Sequence, residues 1–269
     1  MANWYLLNEQ TPRSAAENMA RDEYLFNLCH TKKCGFLRLY SWEKPTFSFG
    51  VSQRISSVLD LEYIEKNGFS YVRRITGGKT VLHDDEITYA VASSENVFFK
   101  DNDLYRSYLL IAKTLAAAFK RMGLEASLSS GSSAKLSRSN NPCFSFPTPN
   151  EIEIAGKKIV GSAQKRDNTA LLQHGSIPIT MNYERYACGA NSSVELIESS
   201  MTTLSQVSPI SRSRCITALI ESFESFIGEK LHDFDFSASR EREISGLVEK
   251  YASQDWNFNP QPLRSISPL

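Results

Sequence analysis

The chain has 269 residues, enough to bury a sizeable core as one large domain or one domain with a small appendage. Its 30 basic and 30 acidic residues balance, so no global field draws nucleic acid or a membrane surface, and no apolar run reaches the roughly 20 residues of a membrane span. Five scattered cysteines without a Cys-x-x-Cys spacing and four scattered histidines argue against a disulfide framework or a metal site, and with no visible signal peptide they fit a reducing cytoplasm.

Ser14-Ala15-Ala16-Glu17 is a capping box and predicts a helix to about Cys29. Residues 36–42 and 45–51 follow as strands, the second alternating Phe47, Phe49 and Val51. A short helix over 60–67 stops at Gly68. Residues 69–75 alternate again and run into the turn signal Thr76-Gly77-Gly78, and 86–93 is a further strand. The helix over 103–122 places Leu104, Tyr108, Ile111, Leu115 and Phe119 on one stripe and ends at Gly123. Residues 129–142, rich in serine and asparagine, read as a long loop. Residues 150–154 and 157–160 form a hairpin about Ala155-Gly156, and 170–180 is a strand. Beyond about residue 190 the pattern turns helical, over 213–228 with Cys215, Leu219, Phe223 and Phe226 on one face, and over 239–251. Strands with helices between and after them indicate an α/β or α+β fold, a mixed sheet with surrounding helices. No Gly-x-Gly-x-x-Gly opens a helix, so a dinucleotide fingerprint is missing.

Three constellations carry chemistry. In Arg73 to Asp84, the paired Gly77 and Gly78 let backbone N–H groups approach a ligand, and Arg74 and Lys79 add positive charge, with Thr80 and His83 alongside. The segment suits a phosphate, a carboxylate or a phosphopantetheine arm, and equally a plain hairpin with solvated flanks. In Gly156 to Gln164, continuing to Leu172-Gln173-His174-Gly175-Ser176, the small Gly161, Ser162 and Ala163 suit an acyl tunnel or an oxyanion site, or close packing of one strand on another. Alternation puts Lys157 and Lys158 on opposite faces, so one of them faces inward, and pattern does not choose which. Finally, Cys143 stands at a loop-to-strand junction ahead of the lysine hairpin. A thiol is a nucleophile only as thiolate, and a nearby ammonium favours that form, so cysteine and lysine together suggest acyl transfer through a thioester. The plainer alternative is a small buried hydrophobe. Cys29 and Cys215 lie on apolar helix stripes and read as structural; Cys34 and Cys188 read as loop residues without an activating neighbour.

Arg-Arg-x-Thr-Gly-Gly-x-x-Val-x-His-Asp over 73–84, Gly-x-Lys-x-x-Gly-Ser-Ala-Gln over 156–164 and Leu-Gln-His-Gly-Ser over 172–176 resemble the biotin/lipoyl protein ligase family. Asn18 to Asp22 is similar to that family's N-terminal segment and Tyr251 to Phe258 to its closing one. The resemblance implies a mixed sheet ringed by helices, like the catalytic core of class II aminoacyl-tRNA synthetases. It places a catalytic core over 1–210 and a helical extension over 211–269, and implies work on the lysine of a lipoyl carrier domain. Within the family, ATP-dependent ligases often carry a third glycine where this chain has Lys79, and many carry an accessory domain for which it has no room. Cys143-Phe144 ahead of the lysine hairpin is similar to the octanoyltransferases of the Gram-positive type.

What that likeness implies is transfer of octanoyl from acyl carrier protein to a lipoyl domain, of glycine-cleavage H protein or a 2-oxoacid dehydrogenase E2, through a Cys143 thioester. Lys158 would stabilise the thiolate, and backbone N–H groups near Gly161 to Ala163 or Gly77-Gly78 would hold the oxyanion. The implied substrate-binding set is Arg74, Gly77, Gly78, Lys79, Thr80, His83, Gly161, Ser162, Ala163 and His174. No cofactor or metal is implied. ATP and Mg2+ enter only under the alternative of a lipoate-protein ligase, where Lys158 would meet the carboxylate and α-phosphate. A lipoyl-domain amidotransferase using the same cysteine, and a carrier-binding module that lost the chemistry, are further alternatives.

Overall fold

Ser14 caps the first helix as its spacing predicts: the serine hydroxyl accepts from the Glu17 N–H, and the Glu17 carboxylate accepts from the Ser14 N–H in return. The computed structural model describes residues 3–94, 104–130, 142–145 and 149–262, so most of the expected 129–142 loop, residues 131–141, lies outside the described residues. Before this helix, α1 (Ala15–Thr31), comes a strand the periodicity did not separate, β1 (Asn3–Asn8). It pairs in parallel with β2 (Cys34–Tyr40), which pairs antiparallel with β6 (Glu86–Ser94). Outward from β6 lie β11 (Ala170–Pro178) and β10 (Gly161–Arg166), both antiparallel, and on the far side of β1 lies β12 (His232–Asp233). The six-stranded order is β10-β11-β6-β2-β1-β12, a mixed sheet with β10 at one edge.

Alternation along these strands divides the core between two faces. Leu37, Leu39, Tyr89 and Val91 face Ile111, Leu115 and Phe119 of α4 (Leu104–Arg121) and Leu219 and Phe223 of α8 (Arg212–Ile227). Phe36, Tyr40, Ala90 and Ala92 face Met19 and Leu25 of α1 and Ile244 and Tyr251 of α9 (Ala238–Ala252). The expected extension over 211–269 thus supplies a helix to each face, and β12 to the sheet itself. Helix α8 ends on Gly228 in the left-handed region (φ 77°), the stop that glycine favours.

Two small sheets build the site end. One has the order β4-β3-β5, from β3 (Thr46–Phe49), β4 (Ser70–Arg73) and β5 (Val81–His83). The other has the order β7-β8-β9, from β7 (Ala126–Leu128), β8 (Ile152–Ile154) and β9 (Lys157–Lys158). Strands β5 and β7, three residues each, were not foreseen, because their pairing with β3 and β8 rather than local pattern makes them strands. Two cysteine placements are corrected. Cys34 is buried at the start of β2, and exposed Cys188 lies in a helix, α5 (Tyr183–Gly189), not in a loop.

Candidate active site

Lys158 is the inward lysine. Its side chain is fully buried, whereas Lys157 reaches the surface and donates to the Glu198 carbonyl (2.8 Å). The hairpin register sets Glu153 opposite Lys158, and alternation therefore puts Glu151 near the same ammonium. Lys158 Nζ stands 2.5 Å from Glu151 Oε1, 2.8 Å from the Cys143 carbonyl oxygen and 3.5 Å from Cys143 Sγ. Burial alone would push this ammonium towards deprotonation, but the Cys143 sulfur and the Glu151 carboxylate outweigh it and hold the lysine above its ordinary value. The cation facing the sulfur is thus permanent at neutral pH. Sequence reasoning missed Glu151, although an acidic residue two positions before the register partner of Lys158 was the available signal.

Cys143 is not at a strand junction. It opens a 3-10 turn, Cys143–Ser145, whose first N–H donates to the Thr80 carbonyl (2.8 Å). The same carbonyl accepts the Tyr186 hydroxyl (2.9 Å). Thr80 therefore contributes a backbone anchor for the cysteine, and its own hydroxyl is buried without a hydrogen-bond partner. Phe144 is buried against the Lys158 ammonium, 5.3 Å from ring centroid to Nζ, and a Cβ on Gly161 would stand 2.8 Å from this ring. Glycine at 161 is what lets β10 lie against the cysteine turn.

The paired-glycine turn lies over the same strand. Gly78 has φ 88°, and a Cβ there would come within 3.2 Å of the Ala163 Cβ. Arg74 is buried behind the turn, donating to the carbonyls of Gly77 (3.1 Å) and Lys79 (3.0 Å) and to Ser48 Oγ (2.7 Å). Burial holds this guanidinium down to about 10. Lys79 is half-buried close to Cys143, Lys158 and Glu151; burial, with Lys158 beside it, holds its ammonium below the ordinary lysine value against the opposing pull of Cys143 and Glu151. The turn is pinned on its other side by His174, whose Nε2 lies 2.8 Å from Thr76 Oγ1 and whose Nδ1 lies 2.8 Å from Asp22 Oδ2. Burial dominates at His174 and keeps it below the ordinary histidine value despite Asp22, so the ring is neutral, donating to Asp22 and accepting from Thr76. Burial pushes Asp22 the other way, but the Arg38 guanidinium at 2.7 Å and His174 outweigh it and hold its carboxyl below the ordinary value. Asn18 and Asp22, four apart on α1, both contact Arg38; the family likeness of Asn18 to Asp22 marked this segment, but nothing in the sequence pointed to its contact with His174.

His83 is stacked on Trp42 (4.2 Å between ring centroids) and bonded to Ser48 Oγ (2.5 Å) and Glu86 Oε1 (2.7 Å). Of the sequence-derived residues, one cavity is lined by Cys143, Arg74, His83, His174 and the Gly161-Ser162-Ala163 run, with Tyr40 and Trp42 as apolar wall. Lys158 approaches it behind Cys143, and Gly78 touches it through Ala163. The arrangement sets a sulfur beside a buried cation, a narrow wall of small residues and an aromatic side.

The Lipoyl protein ligase A/B catalytic domain family matches residues 14–224. Octanoyltransferase LipM of Kyrpidia tusciae is 32% identical over 274 residues, covering 96% of this chain and 99% of that protein. Octanoyltransferase LipM of Oceanobacillus iheyensis is 42% identical over 185 residues, covering 67% of this chain and 66% of that protein. In fold, the bipartite lipoate protein ligase of Thermoplasma acidophilum, studied with its E2 lipoyl domain, superimposes with a TM-score of 0.82 at 19% identity, covering 99% of this chain and 100% of that one. The family match runs from the first helix into α8, and the Kyrpidia tusciae relative is matched over nearly the whole of both chains: this chain belongs to the Lipoyl protein ligase A/B catalytic domain family.

Proposed function

We propose that this chain is an octanoyltransferase of protein lipoylation, moving octanoyl from acyl carrier protein to the lysine of a lipoyl domain through a thioester on Cys143. The observation that carries the reading is the Cys143 sulfur 3.5 Å from a buried, permanently charged Lys158. The relatives named octanoyltransferase LipM support it. In the first half-reaction the thiolate attacks the octanoyl thioester carbonyl, a new C–S bond forms, and the carrier thiolate leaves and takes a proton from solvent. In the second, the neutral amine of the carrier lysine attacks the acyl-enzyme, the Cys143 thiolate departs, and the amine's proton is released to solvent. Thioester to amide is downhill, so neither nucleotide nor metal is required. The Lys158–Glu151 pair keeps a cation against the sulfur when it leaves as when it attacks. Each methylene buried in the apolar wall contributes about 0.8 kcal/mol, which sets a length preference.

Mixing the protein with octanoyl-carrier protein and no ATP is expected to add one octanoyl mass, removed by hydroxylamine and mapped to Cys143, and Cys143→Ala is expected to lose adduct and transfer together. Full transfer by Cys143→Ala, or lipoyl-adenylate formed from lipoate and ATP, would overturn the reading in favour of an ATP-dependent ligase.

A further inference from the structure

Ser162 is the last hydroxyl of a hydrogen-bond chain whose direction is fixed at its far end. Arg166 on β10 has only donors, and its Nη1 donates to Ser107 Oγ on α4 (3.3 Å). The Ser107 hydroxyl donates to Gln164 Oε1 (3.2 Å), and Gln164 Nε2 donates to Gln173 Oε1 (3.0 Å). Gln173 Nε2 donates to the Tyr89 phenol oxygen (3.0 Å), which lies 2.7 Å from Ser162 Oγ. Tyr89 is fully buried, and burial pushes its phenol up to about 12, so it remains a donor at neutral pH. Either oxygen of this pair can donate; with Gln173 donating to the phenol, we assign the phenol's proton to the Ser162 oxygen. The Tyr108 phenol on α4 approaches the same serine. Donation in this sense along the strand face leaves the Ser162 proton outside the chain from Arg166 to Tyr89, and Ser162 stands in the wall of the cavity that Cys143 also lines.

The neighbouring glycine makes room for this arrangement. Gly175 pairs with Ser162 across β10 and β11. A Cβ on Gly175 would stand 2.6 Å from the Tyr89 ring and 3.0 Å from Ser162 Oγ. Only glycine leaves space for the phenol to reach the serine.

We infer that the Ser162 side chain is a catalytic hydrogen-bond donor to the oxyanion formed when Cys143 attacks its thioester, and that Tyr89 and Gln173 are positioning residues that turn its proton towards that oxygen. The inference rests on the acyl-enzyme reading above. As the C–S bond forms, the carbonyl π pair moves to oxygen, and Ser162 donates a hydrogen bond without giving up its proton. The pair returns to the carbon as the carrier thiolate leaves. Donors fixed in advance in a water-poor site are worth about 10²–10³ in rate each, and polarised chains strengthen their last member.

The test compares two reactions of Cys143 in the full chain. Acylation by octanoyl-carrier protein passes through an oxyanion; alkylation by iodoacetamide does not. Ser162→Ala is expected to slow single-turnover acylation on the order of 10²-fold while leaving alkylation within about twofold, both followed by intact mass and peptide mapping. Tyr89→Phe is expected to slow acylation severalfold in the native background and to have no further effect beside Ser162→Ala, the non-additivity of groups acting through one another. Native acylation by Ser162→Ala, an equal fall in both reactions, or an additive Tyr89→Phe effect would overturn the inference. A native protein whose Cys143 alkylates but takes no octanoyl would instead overturn the acyl-enzyme reading, and this inference with it.

Discussion

Lys158 shows how one side chain can be both the most costly and the most useful group in the fold. A buried ammonium is tolerable only with a partner, and Glu151 at 2.5 Å supplies it. Removing the cation takes the positive charge at 2.5 Å away from a buried carboxylate. Lys158→Met is therefore expected to lower stability by about 3–5 kcal/mol in urea unfolding and to slow Cys143 acylation on the order of 10²-fold. The pH dependence follows from the direction of the shift. A lysine held above its ordinary value contributes stability that is fully present below the unfolded value of about 10.4 and is lost as pH rises through the folded one. The difference between native and Lys158→Met unfolding should accordingly stay flat from neutral pH up to that value and shrink only beyond it. A difference that already fell near pH 8 would mean that the ammonium is not held by its neighbours.

Among the elements, the paired-glycine turn is the piece most dependent on others for its shape. Arg74 holds its carbonyls from beneath, Ala163 on β10 stands against Gly78, and a Cβ on Gly50 would collide with the Gly78 carbonyl oxygen at 2.2 Å. Its tether to α1 runs through neutral His174. Because that histidine's folded value is depressed, the unfolded chain binds a proton that the folded one refuses once pH falls below about 6.5. His174 thus draws stability down as the medium becomes acidic. His174→Gln should be less stable than the native protein at pH 7.5, by about 1–3 kcal/mol for the unsatisfied partners, with the gap narrowing at pH 5.5. Urea midpoints at the two values check this; a gap that widens on acidification would show that His174 is charged in the fold.

At the level of the whole molecule, the C-terminal helices are bound into the site end by Arg73. Its guanidinium donates to the carbonyls of Val51 (2.8 Å), Gln53 (2.6 Å), Trp256 (2.9 Å) and Asn257 (2.7 Å), and burial holds it down to about 10. Trp256 and Asn257 belong to α10 (Gln254–Phe258), and the Trp256 indole returns a hydrogen bond to the Arg73 carbonyl (2.9 Å). One residue therefore joins α10 to the strand that leads into the glycine turn. Arg73→Met should leave several carbonyls unsatisfied and cost at least about 3 kcal/mol. Hydrogen exchange should rise together in residues 50–53, 70–78 and 254–258. Faster exchange confined to the last helix would mean that the clamp does not support the turn.

Local pattern was enough for the elements whose cause is local. The Ser14 capping box, the stripe of α4 and the glycine stop of α8 need only their own neighbours, and each lies within a residue or two of where the sequence puts it. The ordered motifs also carried the family, because glycine turns and lysine hairpins at fixed spacing record a shared site. Alternation required one of Lys157 and Lys158 to face inward, but choosing Lys158 took the hairpin register and the buried Glu151 beneath it. Strands β5 and β7 escaped notice because three residues have no period of their own; a partner strand makes them. The polar partners that hold His174 and Ser162 in place escaped for the same reason. Asp22 meets His174 across 152 positions of sequence and Tyr89 meets Ser162 across 73. A helix face or a strand face can be read from spacing, since backbone geometry fixes it. A buried hydrogen-bond network is fixed only when the sheet brings distant donors and acceptors together in a place where water cannot stand in for the missing partner.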